Sequence, residues 1–150
     1  MDLGIQGKTA FITGGSRGLG KAAALSLAKE GATIGICGRD ENTINSTVVE
    51  LQNLGIIANG FVADISDLSQ LKDLHTAVTK NLGEIEILVN NVGGSKAKGD
   101  FMETTLEGFQ ETFRCPQEIF HGFCLALGPE AGKCMNFHTS RLVWGGAGCE

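Results

Sequence analysis

Residues 13–20 read Thr13-Gly14-Gly15-Ser16-Arg17-Gly18-Leu19-Gly20 and follow a short apolar run, Thr9-Ala10-Phe11-Ile12. The apolar run predicts a strand that is buried on both faces, whereas the residues after the glycines change to helical spacing. A turn from a strand into a helix presents unpaired backbone N–H groups at the positive end of the helix dipole. This stretch therefore predicts a phosphate-binding loop that opens an α/β unit.

Three glycines of this loop have separate predicted roles. Gly14 permits the turn out of the strand, Gly18 lets the backbone approach a pyrophosphate without a Cβ in the way, and Gly20 allows close packing of the helix on the strand. The alternative is a tight turn that binds no ligand, because a glycine-rich loop alone is weak evidence for a nucleotide site. The rest of the sequence decides between these interpretations.

Strands and helices alternate along the rest of the first 114 residues. Helices are predicted over 18–30, 41–54 and from the N-cap Asp67 to residue 83, and further strands over 32–37, 56–62 and 85–89. Strands that are joined through such helices pair in parallel by right-handed crossovers, since a hairpin cannot join parallel neighbours. The sequence therefore predicts an α/β fold, a three-layer, doubly wound (Rossmann-like) parallel sheet that is truncated after strand 4 or 5.

Composition limits the classes of protein to consider. The 150 residues, 42% hydrophobic and 19% charged, suffice for one domain with a buried core. A net charge of −5 without a basic cluster argues against nucleic acid as a partner. Because no apolar run is long enough to cross a bilayer and no export signal is visible, a cytoplasmic protein without a membrane partner is expected.

Two further motifs fall at the ends of predicted strands. Val62-Ala63-Asp64-Ile65 follows the third strand, and Asn90-Asn91-Val92-Gly93-Gly94 follows the fourth. Together with the TGxxxGxG spacing of residues 13–20, they resemble the short-chain dehydrogenase/reductase family, and in particular its 3-oxoacyl-ACP-reductase-like members, over residues 5–114. The resemblance implies a dinucleotide-dependent oxidoreductase that transfers a hydride between a carbonyl and an alcohol.

The resemblance also implies roles for individual residues. It makes Asp64 the partner of the adenine amino group and Ile65 the residue that packs on that ring, although Asp64 could equally be a solvated carboxylate. Asn90 would stabilise the central sheet, and its backbone would line the nicotinamide side of the cleft. The alternative is that Asn90 only forms an ordinary turn. At position 92 the family has alanine, and this chain has Val92. The implied cofactor-binding residues are Gly14, Ser16, Arg17, Gly18, Leu19, Gly20, Arg39, Asp64, Ile65, Asn90, Val92 and Gly93.

Charge at the end of the second predicted strand bears on the choice of cofactor. An NAD-binding enzyme places an acidic residue there to accept bonds from the ribose 2′-hydroxyl, but this sequence reads Cys37-Gly38-Arg39. Arg39 and Arg17 together can clamp a 2′-phosphate with fork-shaped, charge-assisted hydrogen bonds. NADP(H) is therefore predicted in preference to NAD(H), the alternative being two solvated arginines.

The sequence departs from the family pattern at the residues that the family uses for catalysis. The family reaction needs a tyrosine with a lysine four residues later, a serine and an asparagine, and this chain contains no tyrosine. The asparagine is expected two residues past Arg114, but that position is Pro116. Thr139 or Ser140 is the candidate for the role of the serine. We expect an inactive relative of the oxidoreductases; the alternative is a non-catalytic dinucleotide-binding fragment or interaction module.

Composition changes sharply after Arg114. Four of the five cysteines, both prolines and the single tryptophan lie beyond it. We therefore divide the chain into an NADP-binding Rossmann half, residues 1–114, and a divergent or frame-shifted C-terminal segment of the same domain, residues 115–150. The resemblance implies a homo-oligomer, but we expect this chain to lack most of that interface.

A small zinc site in the C-terminal segment is the third possibility that the sequence raises. Residues of metal-ligand type there are His121, Cys124, Cys134 and His138. No paired CxxC accompanies them, and buried thiols with surface histidines explain them better than a zinc site does. No metal is predicted.

Overall fold

The computed structural model describes residues 3–92, 133–138 and 141–145, and in that part of the chain strands alternate with helices as predicted. The elements are β1 (Thr9–Thr13), α1 (Gly18–Lys29), β2 (Thr33–Gly38), α2 (Glu41–Gln52), β3 (Ala58–Val62), α3 (Leu68–Leu82), β4 (Ile87–Asn90), β5 (Lys133–His138) and β6 (Arg141–Gly145). The order confirms the α/β class. Among these residues, no helix combines the length and apolar character that crossing a membrane requires.

The strands form one sheet in the order β3-β2-β1-β4-β5-β6. Pairing is parallel from β3 through to β5, which confirms the doubly wound arrangement, and antiparallel between β5 and β6. Among the described residues, five strands are parallel, and β6 was not predicted from the sequence. Its direction has a simple cause, because a connection of two residues can only form a hairpin.

The core explains why β1 occupies the middle of the sheet. All five of its residues are buried, and successive side chains point to opposite faces. Ile12 packs with the cluster under α1 and α2, which includes Ile34 and Leu51, whereas Phe11 packs with the cluster under α3, which includes Val78. A strand that is apolar on both sides must be covered on both, and at β1 helices α1 and α2 cover one face of the sheet and α3 the other.

Helix ends follow local rules, with one difference from the prediction. Asp67 caps α3 by accepting a hydrogen bond from the Ser69 N–H at 3.0 Å, as predicted. Helix α2, however, ends at Gln52 and not at residue 54. The N–H groups of Leu54 and Gly55 fold back onto the carbonyls of Leu51 and Gln52, and this turn leaves the Leu54 side chain 44% exposed.

The sheet reverses its winding beside β1. The chain proceeds from β1 to β2 and β3 on one side, then crosses through α3 to β4 on the other side. Open α/β sheets bind ligands at such a point, beyond the carboxyl ends of the strands. The loops after Thr13 and after Asn90 both lie there, next to each other, because β1 and β4 pair with Thr13 opposite Asn90.

One glycine of β2 allows α3 to pack directly on the sheet. A Cβ on Gly35 would lie 2.7 Å from Cδ2 of Phe11 and 2.8 Å from Cδ1 of Leu82. We expect Gly35→Ala to lower the free energy of unfolding by about 1–3 kcal/mol, because it overpacks the core. Urea denaturation measures the loss, and it should be smaller in a Leu82→Ala background, where one of the two overlaps is gone. An equal loss in both backgrounds would refute this cause.

Candidate functional site

The glycine loop after β1 is shaped by close contacts that side chains would prevent. Gly14 and Gly18 have positive φ angles of 64° and 53°, which glycine adopts without strain. A Cβ on Gly20 would overlap the carbonyl oxygen of Gly14 and lie 2.5 Å from Nδ2 of Asn91. The start of α1 therefore touches the loop itself, a nearer neighbour than the strand expected from sequence. A Cβ on Gly18 would meet no atom of the described residues within 4 Å, so on their side the space outside it is open.

A further glycine contact was missed by the sequence analysis. A Cβ on Gly15 would lie 2.5 Å from Cγ2 of Ile36, and the Gly15 N–H donates to the Cys37 carbonyl at 3.2 Å. The loop thus leans on β2 as well as on α1. Burial raises the pKa of the Cys37 thiol to about 12, against a smaller opposing effect of a hydrogen bond with the Gly14 backbone, so this sulfur stays protonated.

Thr13 and Asn91 connect the two loops, and the sequence analysis assigned no such role to either. Oγ1 of the buried Thr13 accepts hydrogen bonds from the N–H groups of Asn91, at 3.0 Å, and Val92, at 3.3 Å. The Asn91 amide in turn donates to the carbonyls of Thr13 and Gly14, both at 3.2 Å. The paired asparagines and the threonine before the glycines were visible in the sequence, but not their contact.

The other predicted residues after β4 lie at the same place. Asn90 is the last residue of β4 and is half-buried. Val92 is also half-buried, and its Cγ2 would lie 2.9 Å from a Cβ on Gly14, so it closes one side of the glycine loop. Gly93 lies outside the described residues, as do Thr139 and Ser140.

Both predicted arginines lie on the surface near β2, and each has a carboxylate nearby. Nη2 of Arg17 is 3.7 Å from Oδ2 of Asp40. Arg39 follows the last residue of β2, is exposed, and its charge acts on Asp64. Hydrogen bonds from Ser66, and more weakly the Arg39 charge, hold the pKa of Asp64 below its ordinary value. The loop after β1 and the ends of β2 and β3 thus contribute charges to one region.

Asp64 and Ile65 differ in how far their side chains are exposed. Asp64 is half-buried, and its Oδ1 accepts hydrogen bonds from the N–H and the hydroxyl of Ser66, at 3.0 and 2.6 Å. Ile65 is only 3% exposed and packs in the core cluster under α3 with Leu71. Little side-chain surface of Ile65 is therefore left for the adenine ring that the resemblance assigns to it.

Ser16 and Leu19 complete the predicted set. The Ser16 carbonyl accepts a hydrogen bond from the hydroxyl of Thr47, at 3.1 Å, which attaches the loop to α2. Leu19 is 73% exposed at the first turn of α1, beside the open space at Gly18. An apolar side chain at the edge of a polar, N–H-rich turn suits a ligand with both charged and aromatic parts.

No metal site accompanies this region in the part of the chain that the structure describes. Of the zinc candidates, Cys134 and His138 belong to β5, and His121 and Cys124 lie outside the described residues. The chemistry available at the carboxyl ends of the strands is therefore that of backbone N–H groups, guanidinium groups and carboxylates, which bind anions and hydroxyls.

Comparison with known proteins agrees with this arrangement. Residues 8–119 match the family model of short chain dehydrogenases. The chain is 38% identical over 113 residues to the uncharacterized oxidoreductase YvrD of Bacillus subtilis (strain 168), a match that covers 75% of this chain and 42% of that protein. The chain thus spans less than half the length of this relative.

Solved structures share the fold. The blue fluorescent protein from a metagenomic library, crystallised in complex with NADPH, superposes with a TM-score of 0.76 at 31% identity, covering 88% of this chain and 56% of that chain. NAD+-bound xylitol dehydrogenase superposes with a TM-score of 0.77 over 88% of this chain and 53% of its own. Its identity of 21% limits that likeness to the fold.

The bonds at Thr13 generate a prediction for stability. Thr13→Val keeps the shape but leaves the N–H groups of Asn91 and Val92 without their acceptor, so we expect the free energy of unfolding to fall by about 2–4 kcal/mol. Thr13→Ser keeps the hydroxyl and should cost about 1 kcal/mol for the lost methyl group. Urea denaturation of both variants separates the two effects. A valine variant no less stable than the serine variant would contradict this role of the hydroxyl.

Proposed function

The chain belongs to the short chain dehydrogenase family, and on that premise we propose that it binds a nicotinamide dinucleotide, NADP(H) in preference to NAD(H). One observation carries the preference: two exposed arginines lie near the carboxyl end of β2, Arg39 directly after the strand and Arg17 in the glycine loop beside Asp40. The acidic residue that would accept the ribose 2′-hydroxyl of NAD(H) is replaced at the end of the strand by Gly38. Guanidinium groups favour a 2′-phosphate instead.

The start of α1 suits the pyrophosphate. Its N-cap, Arg17, makes no side-chain capping bond, and the first turn contains no acidic residue. Helices α2 and α3, by contrast, are capped by the aspartates Asp40 and Asp67. The first-turn N–H groups of α1 therefore remain available to an anion, and the open space at Gly18 admits one without steric conflict.

The two ends of the dinucleotide would lie on opposite sides of this turn. We place the adenine near Asp64, whose Oδ2 is free of the Ser66 bonds and can accept from an amino group. We place the nicotinamide beyond β4, against the backbone of Asn90, Val92 and Gly93. When bound, the nicotinamide supplies the hydride chemistry, while the chain's residues bind and orient it. The NADPH complex of the blue fluorescent protein, 31% identical, supports a dinucleotide as the ligand of this fold.

We further propose that these 150 residues bind the cofactor without catalysing the family reaction. A carbonyl that accepts a hydride needs a positioned proton donor, and the family's donor, tyrosine, is absent from the sequence. Thr139 and Ser140 remain the candidates for the serine role. The same observation favours the second candidate function, a dinucleotide-binding module without catalysis.

The choice of cofactor can be tested by titration. We expect the fluorescence of NADPH to report tighter binding than that of NADH. Arg39→Gln should weaken NADPH binding about 10-fold or more, because a charge-assisted hydrogen bond contributes about 1.5–3 kcal/mol, and should leave NADH nearly unchanged. Lys29→Gln removes the same charge from the last turn of α1, far from the site, and serves as the control. Equal losses for the two cofactors would argue against a 2′-phosphate site.

Activity can be tested separately. We expect no oxidation of bound NADPH above the rate of the free cofactor when the 150-residue chain is mixed with 3-oxoacyl thioesters or small ketones, measured by absorbance at saturating cofactor. An intact active site would accelerate the reaction by at least about 10⁶-fold, so the result is clear-cut. Turnover that a Thr139→Ala or Ser140→Ala substitution abolishes would refute the loss of catalysis and identify the serine equivalent.

A further inference from the structure

Each oxygen of the Asp40 carboxylate has a different partner. Oδ1 accepts a hydrogen bond from the Thr43 N–H at 2.8 Å and so caps α2. Oδ2 lies 3.7 Å from Nη2 of Arg17, in the glycine loop. The cap therefore orients the carboxylate so that Oδ2 lies on the side of Arg17. No function was predicted for Asp40 from the sequence.

The backbone of Arg17 is also held at a fixed distance from α2. The hydroxyl of Thr47, a residue only 1% exposed, donates to the carbonyl of Ser16, the residue directly before Arg17. One helix thus holds the loop through Thr47 and faces the Arg17 side chain with Asp40. The guanidinium group is the more exposed partner, since the Arg17 side chain is 68% exposed and that of Asp40 49%.

Asp40 is charged at neutral pH. Hydrogen bonds from Thr43, assisted by the Arg17 charge, hold its pKa below the ordinary value. A phosphate that binds Arg17 must therefore displace the Asp40 carboxylate from the guanidinium group. Otherwise the phosphate and the carboxylate share the guanidinium, and two negative charges lie close together. Both situations weaken the binding of the dianionic 2′-phosphate of NADP(H), and neither affects the neutral 2′-hydroxyl of NAD(H).

We propose that Asp40 is a specificity-determining residue that limits the affinity for the cofactor 2′-phosphate by competing for Arg17. The inference rests on the proposed function, since it concerns the same phosphate group. Asp40 would thereby reduce the preference for NADPH over NADH that Arg17 and Arg39 create. The contact is exposed and its charges are screened by solvent, so the effect is a moderate one.

The test removes the charge and keeps the cap. Asparagine is as good an N-cap as aspartate, so Asp40→Asn should preserve the Thr43 bond and the folded structure. In titrations of the full chain we expect NADPH to bind about 3- to 10-fold more tightly, and NADH to change by less than about 2-fold. The gain should shrink at high salt, because exposed charges are screened.

Controls separate this effect from other causes. Glu84→Gln changes the net charge equally at the amino ends of the strands, where Glu84 precedes β4, and should leave both affinities unchanged. Asp40→Ser, with another favoured N-cap, repeats the test if the asparagine variant folds poorly.

The outcomes are distinct. Unchanged or weaker NADPH binding by both Asp40 variants would overturn the inference and leave the proposed function intact. A parallel gain for NADH, or an equal gain in Glu84→Gln, would also overturn it, since the effect would then not act on the 2′-phosphate through Arg17. Failure of the unchanged chain to bind NADPH would overturn the proposed function, and this inference with it.

Discussion

The close approach of Gly20 to the carbonyl of Gly14 is the constraint on which the site depends. It brings the first turn of α1 against the loop that leaves β1, and a side chain at position 20 would prevent it. The same approach places Gly20 within reach of the Asn91 amide, which holds the Gly14 carbonyl from the side of β4. One contact thus fixes the direction of the helix dipole and the relative position of two loops.

Three neighbouring elements hold the glycine loop in place. From β4, Asn91 and the Thr13 hydroxyl hold its beginning. From β2, the Cys37 carbonyl accepts the Gly15 N–H, and from α2 the Thr47 hydroxyl binds the Ser16 carbonyl. None of these bonds uses the first-turn N–H groups of α1, so the contacts that hold the loop among the described residues do not compete with the proposed binding of an anion.

The sequence predicted those features that depend on neighbouring residues. Helical and strand periods and the Asp67 cap are local, and the parallel sheet follows from their order. The bond between Thr13 and Asn91 and the ion pair between Arg17 and Asp40 join distant residues, so no local pattern indicates them. The burial of Ile65 is not visible in a local pattern either, because it depends on how α3 packs on the sheet.

Net charge does not explain how this protein would select a phosphorylated cofactor. The chain carries a charge of −5, and each arginine of the region has a carboxylate nearby. The proposed selectivity would therefore arise from geometry, because a guanidinium can exchange a single carboxylate oxygen for the paired oxygens of a phosphate. Such an exchange gives modest affinity. The carboxylate of Asp40 would lower the affinity for a 2′-phosphate in this way, and it would leave the affinity for a neutral 2′-hydroxyl unchanged.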